Sequence, residues 1–260
     1  MATLLKSENF SGGTYDTGYW TAVESYFTAD HYTPSNSEPK YVTSSPAPAI
    51  DGYALHYFIK SGTNEAVPCR IQKEATWSEF YVEFYIYFKS TFTYPSGIKI
   101  FRAGNTAGGG NVFFFEYNYG SPTREVIFYT FDFPGSVEVT RNYSYNIPED
   151  EWVKVGLYFK ESTPSTSNGT FRIWFNDVLG AEAVNVVTRT TSLDKNYFWL
   201  GGNNTWNGNN AAVVYSANAD SHLYFSNIKV YDGMPSSVSP KLTLKKASAG
   251  QRAGQSSGQF

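Results

Sequence analysis

The chain has 260 residues but a single cysteine, Cys69. One thiol cannot close an internal disulfide, and none is needed. A domain of this length removes roughly 70–75% of the unfolded chain's surface from water, enough to fold without a staple or a metal. Cys69 is read as a small buried hydrophobe. Helical periodicity is missing as well, and no segment reads as a helix. No apolar run approaches the ~20 residues of a membrane-spanning helix. The first residues, MATLLKSENFSGG, lack the long apolar region and cleavage site of a secretory signal, so no classical export is expected. The Asn-X-Ser/Thr triplets at Asn9, Asn142, Asn168 and Asn203 therefore carry no glycosylation reading. Charge is scarce, 17% of residues with a net of −3, and the body has no basic stripe, so a nucleic-acid partner is not indicated.

What the chain has in abundance is aromatic side chains, 21 Tyr and 20 Phe, gathered in runs such as FYVEFYIYF that favour strands. Residues 151–177, EWVKVGLYFKESTPSTSNGTFRIWFND, read as a long antiparallel hairpin. Val153, Val155, Leu157 and Phe159 alternate with Trp152, Lys154, Tyr158 and Lys160, and Phe171, Ile173 and Phe175 alternate with Thr170, Arg172, Trp174 and Asn176. Pairing the two gives an aliphatic and aromatic core face and an outer face of tryptophan, tyrosine and cations. EFYVEFYIYFK from Glu79 repeats the pattern, with Phe80, Val82, Phe84, Ile86 and Phe88 inward and Tyr81, Glu83, Tyr85 and Tyr87 outward. In GYALHYFIK, Tyr53, Leu55, Tyr57 and Ile59 share a face. If these strands lie in one sheet, their polar aromatic rows merge into one surface, equipped to stack on flat ligand faces and hydrogen-bond their rims.

Between these segments, GIKIFRAG, NVFFFEYNYG, REVIFYTFDF and VEVTRNYSYNI are separated by glycine, proline and asparagine, the pattern of an antiparallel sandwich. Residues 1–51 read as short edge strands and a wrapping loop. The glycines of residues 106–111, TAGGGN, lack the spacing and lysine of a phosphate cradle. YFWLGG reads as a short strand, followed by the asparagine-rich loop NNTWNGNN with Trp206 at its centre. In SHLYFSNIKVYDG the alternation of Leu223 and Phe225 resumes out of phase at Ile228 and Val230, which predicts a bulge near Ser226 and Asn227. Residues 1–233 are expected to form one domain and residues 234–260 a basic Gly/Ser/Gln-rich arm. That arm carries Lys241, Lys245, Lys246 and Arg252 and no acidic residue, so it holds +4 and the body −7. Its strand-like KLTLKK is suited to adding to a sheet edge, which makes other subunits of a larger assembly an expected partner.

The hairpin residues EWVKVGLYFK and NGTFRIWFND, with LGG and the closing LYFSNIKVYDG, resemble the concanavalin A-like lectin and glucanase superfamily over roughly residues 52–233. The resemblance implies an all-β, two-sheet antiparallel jelly-roll sandwich. That superfamily includes laminin G-like modules, pentraxins, family 16 glycosidases and polysaccharide lyases, most of which engage glycans on a concave sheet or its rim. The Glu-X-Asp-X-X-Glu strand of family 16 is absent, and Glu149, Asp150 and Glu151 are consecutive rather than paired across a face, which gives no support to retaining glycosidase chemistry. Alginate-type lyases share an Arg-X-Glu-X-Arg strand, a Gln-Ile-His strand and a Tyr-Phe-Lys-X-Gly strand. RIQKE at Arg70 and YFSNIK at Tyr224 echo two of these. A lyase also needs a base and a charge neutraliser converging in one groove, for which His56, Tyr85, Lys99, Arg102 and Arg172 are the candidates; His31 and His222 complete the histidines.

The expected function is a non-catalytic glycan-binding or structural jelly roll, without catalytic residues, set at a virion surface as a phage head decoration or tail protein docked by its arm. The alternative is a polysaccharide lyase or hydrolase working on the aromatic and cationic face. The glycan is expected to stack on Tyr81, Tyr85, Trp152, Tyr158, Trp174 and Trp206, with Lys154, Arg172 and Asn207 making polar contacts. No cofactor is required. The resemblance implies a possible structural calcium, for which Glu8 and Asp232 are the candidates and Asn176 and Asp177 a second pair.

Overall fold

A computed structural model describes residues 2–13, 15–22, 42–46, 50–59, 66–67, 70–90, 97–104, 112–118, 125–132, 137–189, 195–203 and 221–238. Cys69, His31, Trp206, Asn207 and the glycine-rich loop 106–111 lie outside the described residues. Apart from a 3-10 turn at Ser11–Gly13, the described elements are strands. In chain order they are β1 (Leu4–Glu8), β2 (Thr21–Ala22), β3 (Val42–Ser44), β4 (Tyr53–Ile59), β5 (Ala66–Val67), β6 (Arg70–Trp77), β7 (Glu79–Phe88) and β8 (Gly97–Gly104). They continue as β9 (Val112–Asn118), β10 (Glu125–Asp132), β11 (Val137–Ser144), β12 (Trp152–Lys160), β13 (Gly169–Phe175), β14 (Val178–Val186), β15 (Lys195–Asn203) and β16 (Ser221–Tyr231).

The strands form two antiparallel sheets, a jelly-roll sandwich. One is nine-stranded, in the order β14-β13-β12-β7-β16-β4-β3, with β1 on β16 and β5 on β4. The other is seven-stranded, in the order β11-β10-β9-β8-β15-β6-β2. The hairpin read from residues 151–177 is β12–β13, with Leu157 opposite Ile173; the two-residue turn after it, at Asn176 and Asp177, joins β13 to β14 and takes positive φ at both residues, 48° and 63°. That geometry suits asparagine and aspartate and matches the right-handed twist of the strands it joins. β12 pairs on its other edge with β7, so the outward rows of the hairpin and of FYVEFYIYF do merge on one surface.

One core lies between the sheets. The nine-stranded sheet supplies Phe80, Val82, Phe84, Ile86 and Phe88 from β7, Val155, Leu157 and Phe159 from β12, and Phe171, Ile173 and Phe175 from β13. The seven-stranded sheet answers with Ile71, Trp77, Ile100, Phe101, Phe115, Phe198 and Leu200. In β7, β12 and β13 these are the inward positions that the alternation marks, and each fully buried phenylalanine contributes about 1.5–3 kcal/mol by transfer alone. The bulge expected in β16 is present, a register shift between Ser226 and Lys229 with Asn227 at φ 47°. It marks a change of partner along one edge of β16: β4 pairs with Ser221–Phe225 before it and β1 with Ile228–Tyr231 after it. Among the described residues the N-terminal strand thus pairs with β16 alone, an edge strand as expected for residues 1–51.

Gly156 sits on the outer face of β12, where an added Cβ would stand 2.6 Å from the hydroxyl oxygen of the buried Tyr81. Gly156→Ala is expected to lower the free energy of unfolding by about 1–3 kcal/mol, the usual penalty for overpacking, read as a lower urea midpoint with unchanged slope.

Candidate functional site

The outer face of the nine-stranded sheet carries most of the residues expected to bind a glycan. Cross-strand register sets them in rows: His56, Tyr224, Tyr87 and Trp152 in one, and Tyr231, Tyr81, Tyr158 and Arg172 in another. The second row, with Trp174, does not face solvent. Tyr81, Tyr158 and Trp174 are 1%, 7% and 2% exposed and form a small core of their own, covered by Leu179, Tyr231, Met234 and Val238. Stacking on a ligand is therefore corrected for these three: residues 234–238, read from sequence as the start of an arm, close over the rings.

The polar groups among them are spent internally. Tyr158 donates its hydroxyl to Glu79 at 2.9 Å, and Arg172 pairs with Glu182 at 3.0 Å. The buried Glu83 carboxylate lies 3.2 Å from Lys154 and 2.9 Å from Lys229, and Lys154 also meets Asp177 at 2.9 Å. Burial, aided by the Glu83 charge, pushes the Tyr81 phenol well above its usual range. Such neutralised pairs hold a fold together more readily than they take up a ligand. Tyr85, Trp152, Lys154 and Arg172 remain half-exposed, so four of the expected residues stay accessible, Lys154 and Arg172 already paired with carboxylates. Beside them, the His56 and His222 rings stack at 5.1 Å and share a 2.9 Å hydrogen bond between Nε2 and Nδ1, and His56 stacks on Tyr224 at 4.6 Å. Burial, with the neighbouring His222, pushes the His56 imidazole down to about 3.

The candidate calcium ligands each have another task. Glu8 accepts the backbone N–H groups of Phe10 and Asp16, both at 2.9 Å, and Asp232 accepts that of Thr3. Glu8 lies opposite Ile228 and Leu4 opposite Tyr231, so Glu8 and Asp232 sit at opposite ends of β1. Asn176 accepts the N–H of Lys154, whose ammonium holds Asp177. Among the described residues no group of three or more His, Cys, Asp or Glu is set to hold a metal ion.

The seven-stranded sheet offers a second outer face, which sequence reasoning passed over. Trp199 of β15 lies opposite Gln72 of β6 on one side and Arg102 of β8 on the other. Phe198 and Leu200 enter the core, so Tyr197 and Trp199 point away from it, as Gln72 does beside the inward Ile71. The bulge between Lys99 and Phe101 sends both Ile100 and Phe101 inward and leaves Lys99 on the outer side with Arg102. Arg102 stands over the Tyr197 ring at 5.6 Å, while Tyr197 and Trp199 are buried as a floor between half-buried polar side chains. The signal was in the sequence. YFWLGG at Tyr197 matches the Tyr-Phe-X-X-Gly pattern better than YFSNIK at Tyr224 does, and β15 is hydrogen-bonded to the strand that carries RIQKE. The match keeps Arg70 and Tyr197 but fails at three ionisable positions: Trp199 stands in place of lysine, Gln72 in place of glutamate and Glu74 in place of the second arginine. β8, on the other side of β15, runs Lys99-Ile100-Phe101 and carries neither glutamine nor histidine. Of the lyase candidates, Lys99 and Arg102 are on this sheet, while His56, Tyr85 and Arg172 are on the other.

No family model and no curated protein matches the sequence. Solved structures do match the fold. An endo-β-1,4-glucuronan lyase from the fungus Trichoderma reesei superposes with a TM-score of 0.60 at 16% identity, over 92% of this chain and 99% of that one. The alginate lyase Aly36B gives 0.52 at 19% identity, over 70% and 81%. The botulinum neurotoxin serotype C1 binding domain gives 0.56 at 13% identity, over 90% of this chain and 49% of that one. The chain has the two-sheet jelly-roll fold of these structures.

Two measurements separate structural from accessible residues. Trp174→Ala is expected to cost about 3–5 kcal/mol of stability, the range for a buried aromatic, and the half-exposed Trp152→Ala clearly less, both read from urea unfolding. His56 has a folded-state pKa below its unfolded value of about 6.5, so its contribution to stability is complete above that pH and is lost as pH falls toward 3. His56→Gln is expected to flatten the fall in unfolding free energy between about pH 6.5 and 4 relative to the unaltered chain.

Proposed function

We propose that this concanavalin A-like jelly roll binds an acidic polysaccharide along the outer face of its seven-stranded sheet, without cleaving it. The observation that carries the reading is the row Gln72, Trp199 and Arg102, with Tyr197 under the Arg102 guanidinium at 5.6 Å and Lys99 further along β8. Trp199, Tyr197 and Lys99 are 1%, 8% and 8% exposed, so the contact falls to the half-buried Arg102 and Gln72, a guanidinium and an amide suited to the carboxylate and hydroxyls of a uronate. The solved structures similar in fold include two lyases named for the uronate polymers alginate and glucuronan, which supports the choice of ligand class. The half-exposed Tyr85, Trp152 and Lys154 of the other sheet serve as a secondary contact in the same reading.

A lyase is the second reading, because Tyr197 and Arg102 bring a tyrosine and an arginine together in one face, a possible base beside a charge neutraliser. Against it stand the positions where this chain departs from the lyase strands, Trp199, Gln72 and Glu74, and the placement of His56 and His222 on the opposite sheet. Membership of a larger assembly such as a virion surface rests on the basic arm alone.

Alginate and glucuronan oligosaccharides are titrated into the protein by calorimetry, with the ultraviolet absorbance of unsaturated uronate followed in parallel. Binding is expected, weakening as salt rises. Arg102→Ala is expected to weaken it about tenfold or more, the loss of one charge-assisted contact, while Lys160→Ala on the other sheet leaves it unchanged. Absence of binding to either polymer overturns the reading, and growth of the ultraviolet signal replaces it with the lyase.

A further inference from the structure

Asparagine followed by glycine is the dipeptide at which a chain most readily modifies itself. The glycine nitrogen attacks the side-chain carbonyl carbon, ammonia leaves and a succinimide forms. Water then opens the succinimide to aspartate or, with the main chain rerouted through the side-chain carbon, to isoaspartate. Glycine is the fast partner because no Cβ hinders the attack. Asn168-Gly169 is such a pair, in the loop between β12 and β13, and Asn168 is exposed.

The fold holds both halves of the pair. Thr163 donates its N–H to Oδ1 of Asn168 at 2.8 Å, and Nδ2 of Asn168 donates to the Thr163 hydroxyl at 3.1 Å. Between them the backbone closes on itself, Thr166 N–H on the Thr163 carbonyl and Asn168 N–H on that of Thr166, both at 2.9 Å. The loop is tied down next to this turn. Ser162 donates its N–H to the Thr188 hydroxyl at 2.8 Å and accepts that of Thr188 on its own hydroxyl at 2.9 Å, while Arg189 donates Nε to the Ser162 carbonyl at 2.9 Å. Gly169 is buried opposite Val186 at the start of β13. A Cβ added there would stand 2.6 Å from Thr188 Cγ2 and 2.8 Å from the Val186 carbonyl oxygen. Neither residue is easily replaced: Asn168 donates and accepts at once, and position 169 has room only for glycine.

We propose that Asn168 is a deamidation site that Thr163 holds closed. Attack on its carbonyl carbon requires the carboxamide to turn toward the Gly169 nitrogen, which breaks both bonds to Thr163. Burial of Gly169 also keeps that nitrogen from the base that must remove its proton. Once the loop opens and the reaction runs, the change is permanent. The product carboxylate has no N–H for the Thr163 hydroxyl, and isoaspartate adds a main-chain methylene just before Gly169, where the backbone touches Thr188 and Val186. The pair therefore converts openings of residues 161–168 into a lasting chemical mark.

The full chain and a synthetic peptide of residues 163–174 are incubated at mildly alkaline pH, and aspartate and isoaspartate at position 168 are followed by digestion and mass spectrometry. Conversion is expected to be about tenfold or more slower in the folded chain than in the peptide, the effect of two hydrogen bonds. Thr163→Ala removes the hydroxyl acceptor and is expected to speed conversion about fivefold, while Thr163→Ser keeps the acceptor and the slow rate. Gly156→Ala lowers global stability away from the loop and is expected to leave the rate unchanged, since the opening is local. Urea unfolding reports that each variant is folded. Conversion of the unaltered chain at the rate of the peptide, or equal rates in Thr163→Ala and Thr163→Ser, overturns the proposal. Acceleration by Gly156→Ala equal to that by Thr163→Ala overturns it as well, because the opening is then global unfolding.

Discussion

The structure depends on β7 being buried on both faces. Strands of antiparallel sheets ordinarily keep one face in solvent, yet Phe80, Val82, Phe84, Ile86 and Phe88 fill the main core while Tyr81 and Tyr87 on the opposite face are 1% and 2% exposed. β7 lies between β12 and β16, the two strands whose core residues align with its own, and Glu83 on its outer side is clamped by a lysine from each, Lys154 and Lys229. A carboxylate in that position is tolerable only because both cations arrive with it. The strand register, the outer aromatic cluster and the charge pairs are in this way one arrangement. A one-residue slip would place Glu83 in the core and Phe84 outside.

This arrangement bears on function by exclusion. On the outer face of the nine-stranded sheet the largest rings are covered, and Lys154, Lys229 and Arg172 are paired with Glu83, Asp177 and Glu182. The opposite sheet is composed differently. β6, β15 and β8 bring an amide, an indole and a guanidinium into one row, with the phenol of Tyr197 beneath Arg102. Gln72 and Arg102 are half-buried while Trp199 and Tyr197 are covered, and the fold is shared with lyases and a toxin binding domain that differ from this chain at more than four residues in five. Fold of this kind accommodates both cleavage and binding. The distinction lies in a few side chains, and here Trp199, Gln72 and Glu74 replace the ionisable groups that the lyase strands carry.

The C-terminal residues of the described chain tie the two themes together. Met234 and Val238 turn an outward aromatic row into a second core. A segment that is small and polar by composition thus includes anchoring residues, which no average over its composition reveals.

Much of the fold was legible in the sequence. Alternation over 79–88, 152–160 and 171–175 identified every inward residue of β7, β12 and β13, and the phase change after Phe225 located the bulge, because side-chain direction in a strand follows from its period of two. The candidate site was legible only in part. Alternation says that Tyr81, Tyr158 and Trp174 face away from the core, but whether an outward ring meets solvent depends on a segment far along the chain folding back over it. Likewise Gln72, Arg102 and Trp199 come from strands separated by intervals that no local pattern spans, and only strand order makes them neighbours. The sequence by itself determined the class of fold, the two-sided strands and the inward residues, since these follow from local periodicity. The tertiary structure alone decided which outer face is sealed and which polar side chains share a row, since both depend on pairings between distant segments.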